Sequence, residues 1–214
     1  MILPSASLPT YAPLQSAKMV ADQAPESDLE TAIAARGGPH SGGDKTVAVG
    51  DIIEVKDKMQ TGYRYNLVAP IGKSFADEFQ PYCSPQKMLE MGVFEGKYCT
   101  DCIGELPEKW FGNAKLSETP DPSLNYFGIK SRQPLSVWRQ KGWIYGPDPR
   151  GWFQWYCRYY LGRRLPEIDS IQIKRWRTFA RHAGQIRANC EPGDIFCRRR
   201  QRQALLQWSH NPLI

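Results

Sequence analysis

Between Asp148 and Arg164 the chain reads DPRGWFQWYCRYYLGRR, and this stretch constrains the fold more than any other. Trp152, Trp155, Tyr156, Tyr159 and Tyr160 recur at i, i+3, i+4, i+7 and i+8, so on a helix they form one stripe. Phe153, Cys157 and Leu161 make a second apolar row beside it, and only Gln154 and Arg158 interrupt the coverage. A helix apolar over most of its circumference has to be surrounded by the rest of the protein. The alternative use of such rings, stacking on nucleic-acid bases in a basic groove, requires them exposed. The periodicity assigns most of them to packing and leaves Trp143, Tyr145 and Trp152, near a Gly/Pro turn, as the better stacking candidates. Asp148 and Pro149 read as the helix start and Gly162 as its stop.

Two more helices are expected downstream. One runs from Asp169 to about Ile186, with Ile173, Trp176, Phe179, Ala180 and Ala183 on one face and Lys174, Arg177 and Arg181 opposite; Arg175 falls at the edge. The other follows the loop NCEPGD, is capped by Asp194, and buries Cys197, Ala204, Leu205 and Trp208, with Arg199 and Arg202 facing away and Arg198 flanking.

Upstream, TVAVGDIIEVKD and YRYNLVAPI flank turn chemistry in KDKMQTG and predict a small β-hairpin. CSPQKMLEMG predicts a short helix with Ser84 as N-cap, Pro85 in the first position and Gly92 as the stop. Residues 93–147 are rich in Gly, Pro and Asn and predict irregular structure, with a short helix in PLSVWRQKG. Residues 1–45, rich in Pro, Ser, Ala and Gly, read as a disordered tail. The expectation is therefore an α+β fold: a single domain over residues 46–214, with a small β element on a mainly helical, Trp-rich C-terminal half.

Charge is unevenly distributed. Residues 130–214 carry 17 of the 28 Lys and Arg but 5 of the 22 Asp and Glu, a balance of +12 against −6 for the remainder. No acid occurs from Ser170 to Asn189. Such segregation points to an anionic partner. Arg163, Arg164, Lys174, Arg175, Arg177, Arg181, Arg198, Arg199 and Arg202 form a candidate nucleic-acid-binding set, since arginine presents a planar fork to phosphate oxygens. No zinc-finger, RNP or homeodomain pattern accompanies them, so binding would be sequence-tolerant. A solvated basic face, or one docking an acidic partner protein, remains open beside this reading.

Other chemistry is weaker in the sequence. Cys99 and Cys102, spaced as half a zinc site, combine with Cys190 and Cys197 into a candidate structural zinc set, with His182 and His210 as substitutes. Free, partly buried thiols are the competing reading of these cysteines. DIIEVKDK places Glu54 and Lys56 behind Asp44 or Asp51, which resembles the (D/E)-x-K arrangement of metal-dependent nucleases. An enzyme acting on nucleic acid or nucleotides is thus an alternative function. There is no P-loop, dinucleotide fingerprint or serine-nucleophile elbow. No apolar run is long enough to span a bilayer, and the N-terminus has no positive charge before Lys18 and no compact apolar block, so the expectation is an intracellular protein, cytoplasmic or nuclear and not secreted.

The strings MLEMGVFEGKYCTDC, KSRQPLSVWRQKGWI, DPRGWFQWYCRYYLGRR, QIKRW and RQRQALLQW, in this order, resemble a widely distributed family of small Trp- and Arg-rich proteins of unknown function. The resemblance covers residues 84–208. It implies that this region is one structural unit with a variable tail outside it, and it implies no activity, cofactor or catalytic residue.

Overall fold

A computed structural model describes residues 47–98 and 100–214. The expected tail, residues 1–45, lies outside the described residues. The elements are β1 (Ile52–Asp57), β2 (Gln60–Asn66), α1 (Pro85–Met91), α2 (Leu135–Gln140), α3 (Trp152–Leu161), α4 (Pro166–Phe179), α5 (Arg181–Asn189) and α6 (Arg199–Gln207), with short 3-10 turns between Phe94 and Leu124. This is the expected α+β arrangement, with a helical C-terminal part.

β1 and β2 pair antiparallel, Ile53 opposite Tyr65 and Val55 opposite Tyr63, with an irregularity in register between Val55 and Lys56. Ile53, Val55, Tyr63 and Tyr65 all turn into the core. The turn is closed by Asp57, whose Oδ1 accepts the backbone N–H of Met59 at 2.7 Å and of Gln60 at 2.9 Å. α1 has the capping the sequence calls for. Ser84 accepts the N–H of Lys87 at 3.1 Å, Pro85 opens the helix, and Gly92 ends it at φ 107°.

α3 is the centre of the molecule: Tyr160 is partly exposed and every other residue from Trp152 to Leu161 is buried. Phe79 meets Trp155, Tyr156, Tyr159 and Trp176 edge-on, with centroids 4.9–5.7 Å apart. Trp152 packs on Trp208 at 4.6 Å, and Phe153 on Phe94 at 5.1 Å and Tyr98 at 5.0 Å. The rings are therefore core, and Tyr145 and Trp152, proposed for stacking, are buried. Gln154 and Arg158, which interrupt the apolar pattern, are buried as well. Gly162 ends α3 at φ 120°, and its carbonyl accepts the N–H groups of Val68 and Ala69. A Cβ there would lie 2.0 Å from the Ala69 carbonyl oxygen, so only glycine allows the strand end to cross at this point.

Four helix boundaries differ from expectation. α3 begins at Trp152, behind Gly151, because Asp148 is drawn into the core by arginines instead of capping. α4 begins at Pro166; Asp169 lies inside it, accepting Leu165 N–H at 2.8 Å and Trp155 Nε1–H at 2.8 Å. Burial raises the pKa of Asp169, and these two donors partly offset the effect. The single helix expected through Ile186 breaks at Ala180, whose N–H turns back to the Arg177 carbonyl. The break lets α5 pack on α6, and Phe179 stacks on Trp208 at 3.9 Å. Asp194 caps the Phe196 and Cys197 N–H groups rather than α6, which starts behind Arg198 in a left-handed conformation. No helix among the described residues is long and apolar enough to cross a membrane.

Candidate functional site

The arginines separate into those with internal partners and those without. Arg158, outside the candidate set, is fully buried at the middle of α3. Its guanidinium binds Glu105 through Nε and Nη2, Asp148 Oδ1 at 3.0 Å, the Pro147 carbonyl at 2.7 Å and Gln60 Oε1 at 2.9 Å. The faces of Tyr63 and Tyr65 lie 5.0 and 5.5 Å from it. Burial alone would lower its pKa, but Glu105 and Asp148 outweigh burial and hold it well above the ordinary value.

Four members of the candidate set have partners within the protein. Arg163 is buried, with Nη2 on Asp148 Oδ2 at 2.7 Å and Nη1 on the Tyr63 hydroxyl at 3.3 Å. Arg202 is fully buried and donates to the main-chain oxygens of Cys197, Pro212, Ile214 and Asp194 at 2.7–2.9 Å. Arg164 lies 3.9 Å over the Tyr159 ring and donates to the carbonyls of Tyr159, Arg163, Lys73 and Ser74. Arg175 sits between the rings of Tyr145 and Trp208, bonds the Trp143 carbonyl at 3.0 Å, and has its pKa pulled down to about 10 by burial. These donors are spent on the protein itself, because buried guanidinium groups must be paired or hydrogen-bonded.

Lys174, Arg177, Arg181 and Arg199 are exposed, as expected, and Arg198 is partly exposed at the start of α6. Arg187 on α5 and Arg200 on α6, which periodicity did not select, are exposed too. None of these seven has a carboxylate partner among the described residues. They lie on three successive helices, and a disulfide between Cys190 and Cys197 closes the connection from α5 to α6.

That disulfide corrects the zinc set. Pro192, Gly193 at φ 85° and the Asp194 turn fold the connection back, bringing the two Cα atoms within 5.8 Å. Both sulfurs are bonded to each other and neither serves a metal as thiolate. It also corrects the expectation of free thiols for this pair. Cys99 lies outside the described residues, and Cys102 is buried at the head of a 3-10 turn. His182 Nδ1 faces Gln185 Oε1 at 3.2 Å, and His210 Nε2 bonds the Trp176 carbonyl at 2.9 Å, so neither joins the cysteines. Among the described residues no group of three or more His, Cys, Asp or Glu side chains is placed to hold a metal. Glu54 lies on β1 opposite Arg64, with Lys56 Nζ 3.8 Å away, and Asp44 is outside the described residues.

Sequence reasoning missed one feature altogether, a cleft of about 370 Å³ between the hairpin turn, residues 94–98, Thr100, Asp101, residues 131–138 and α6. Lys58, Lys97, Arg132 and Arg150 line it together with Asp101 and Trp138. Its cations come from four separated stretches, so no local pattern could announce it.

Comparisons with protein-family models, with curated proteins and with solved structures give no match for this chain.

Proposed function

We propose that the chain binds nucleic acid in a sequence-tolerant manner through the cations that α4, α5 and α6 leave in solvent. The observation supporting this reading is the sorting of the arginines. Arg163, Arg164, Arg175 and Arg202 drop out of the candidate set because each guanidinium is held by partners within the protein. Lys174, Arg177, Arg181, Arg187, Arg199 and Arg200 stay exposed with no carboxylate partner among the described residues. An array of unpaired cations gains free energy from releasing the counterions of a polyanion, and no base-reading motif adds sequence preference.

The test is a titration of the full chain into labelled single- and double-stranded DNA and RNA, followed by anisotropy, with Arg177→Glu/Arg181→Glu as the comparison. Both side chains are exposed, so the variant keeps the wild-type melting temperature. Its affinity is expected to fall at least tenfold, roughly the effect of reversing two phosphate contacts at low salt. Equal affinity in wild type and variant rejects this face. Absence of nucleic-acid binding at low salt, with retention of an acidic protein partner, replaces the reading by protein docking.

A further inference from the structure

We infer that the cleft between the hairpin turn and α2 is a binding site for a small phosphate ester that carries a planar ring, of the nucleoside monophosphate class. This inference goes beyond the helical surface and does not depend on it.

Four cations and one carboxylate line the cleft, and the state of each cation matters more than the count. Arg150 is already neutralised, by Asp57 Oδ1 at 3.3 Å and Asp101 Oδ1 at 3.0 Å, yet its Nε is buried with no hydrogen-bond partner. Among the described residues, Lys97 Nζ bonds only the Thr100 hydroxyl, at 3.2 Å. The side chains of Lys58 and Arg132 have no hydrogen-bond or ion-pair partner among the described residues. Three positive groups with no ion-pair partner among the described residues line one concavity, an arrangement that an entering anion would relieve. A phosphate offers enough acceptor oxygens to engage all three.

The opposite requirement, a planar partner, comes from Trp138. Gly151 supports its ring from behind; a Cβ on Gly151 would lie 3.0 Å from Trp138 Cζ3. Trp143 meets it edge-on at 6.4 Å. The ring is thus fixed in position while remaining partly exposed at the cleft. A fixed, accessible tryptophan beside cations is a stacking platform.

The cleft is also rigidly built. Buried Glu95 accepts the N–H groups of Ser131 at 3.2 Å and Arg132 at 3.3 Å, which sets the Arg132 wall. Phe94 and Glu95 sit at φ 55° and 58°, a left-handed conformation that costs non-glycine residues energy and is held here by the surrounding contacts. The Tyr98 hydroxyl donates to the Arg150 carbonyl at 2.6 Å and fixes the far wall. A cleft of about 370 Å³ accepts a ligand of nucleotide size.

The experiment is calorimetric titration of the full chain with 5′-AMP, adenosine and inorganic phosphate, alongside Lys58→Ala, Arg132→Gln and Trp138→Leu. AMP is expected to bind saturably, and adenosine and phosphate each at least about tenfold more weakly, since each makes one of the two contacts. Arg132→Gln is expected to weaken AMP by about tenfold or more, and Trp138→Leu by about fivefold or more. Lys58 is exposed on the hairpin turn, so Lys58→Ala weakens AMP without touching the fold. No saturation up to roughly 10 mM AMP overturns the site. Phosphate binding as tightly as AMP overturns the role of Trp138, and unchanged affinity in both Lys58→Ala and Arg132→Gln overturns the location.

Discussion

Asp148 is the point at which the fold is most exposed to a single change. It is fully buried, and its two oxygens serve different arginines, Oδ1 on Arg158 at 3.0 Å and Oδ2 on Arg163 at 2.7 Å. Asp148→Asn keeps the volume and removes the charge. The two arginines then fare differently. Arg158 retains Glu105, Gln60 and the Pro147 carbonyl. Arg163 retains the Tyr63 hydroxyl at 3.3 Å, and its Nε already has no partner, so a buried guanidinium is left without a carboxylate. Breaking a buried pair from one side costs about 3–5 kcal/mol. With a urea m-value of about 2 kcal/mol/M, the unfolding midpoint moves down by roughly 1.5–2.5 M. Urea unfolding of the full chain, followed by tryptophan emission, measures this shift directly. Asp148→Leu/Arg163→Met removes both members of that pair and is expected to recover part of the loss, because no uncompensated charge remains on that side. A loss under about 1 kcal/mol for Asp148→Asn, or a double variant as unstable as the sum of the singles, refutes the pairing as the source of stability.

Two further outcomes follow from the C-terminal helices. Alkylation of unreduced protein should leave Cys190 and Cys197 unmodified, and Cys190→Ser/Cys197→Ser should cost about 2–3 kcal/mol for a closure over seven residues; modification of both in the unreduced chain removes the disulfide from the account. His210 stacks on Trp176 at 4.4 Å, and burial lowers its pKa, outweighing the hydrogen bond to the Trp176 carbonyl that raises it; nearby His182 lowers it further. The unfolded chain then takes up the proton first, so stability is full above about pH 6.5 and declines as pH falls through the depressed folded value. His210→Gln is expected to flatten the loss of stability between pH 7 and 5, and an unchanged slope assigns the acid sensitivity elsewhere.

What the sequence revealed depended on how local the physics was. α1 was legible end to end because Ser84, Pro85 and Gly92 act within one or two turns of themselves. α3 was legible because its apolar pattern covers nearly every side, which only a central helix can carry. The break at Ala180 was not, since no Gly or Pro marks it and the packing of Phe179 on Trp208 decides it. The fate of each arginine was equally hidden. Arg163 and Arg177 look alike in a charge count, and they part only because Asp148 and Tyr63 reach one while no carboxylate among the described residues reaches the other. The one local hint was Arg158 inside an apolar helix, which implied a buried acid somewhere; its partners Glu105 and Gln60 lie 53 and 98 residues away. The pairing of Cys190 with Cys197 needed the Pro192–Gly193 reversal as well as the spacing.

The central claim is that the exposed cations of α4–α6, and not the buried arginines, meet a polyanion. The salt dependence of binding tests it most directly, because the slope of log K against log salt counts the phosphates neutralised. The account predicts linear loss of affinity for DNA and RNA on log axes, with a slope of about −4.5 to −5.5 for five or six contacts on duplex DNA, reduced by about two in Arg177→Glu/Arg181→Glu. A slope near zero, or one that the double substitution leaves unchanged, contradicts it.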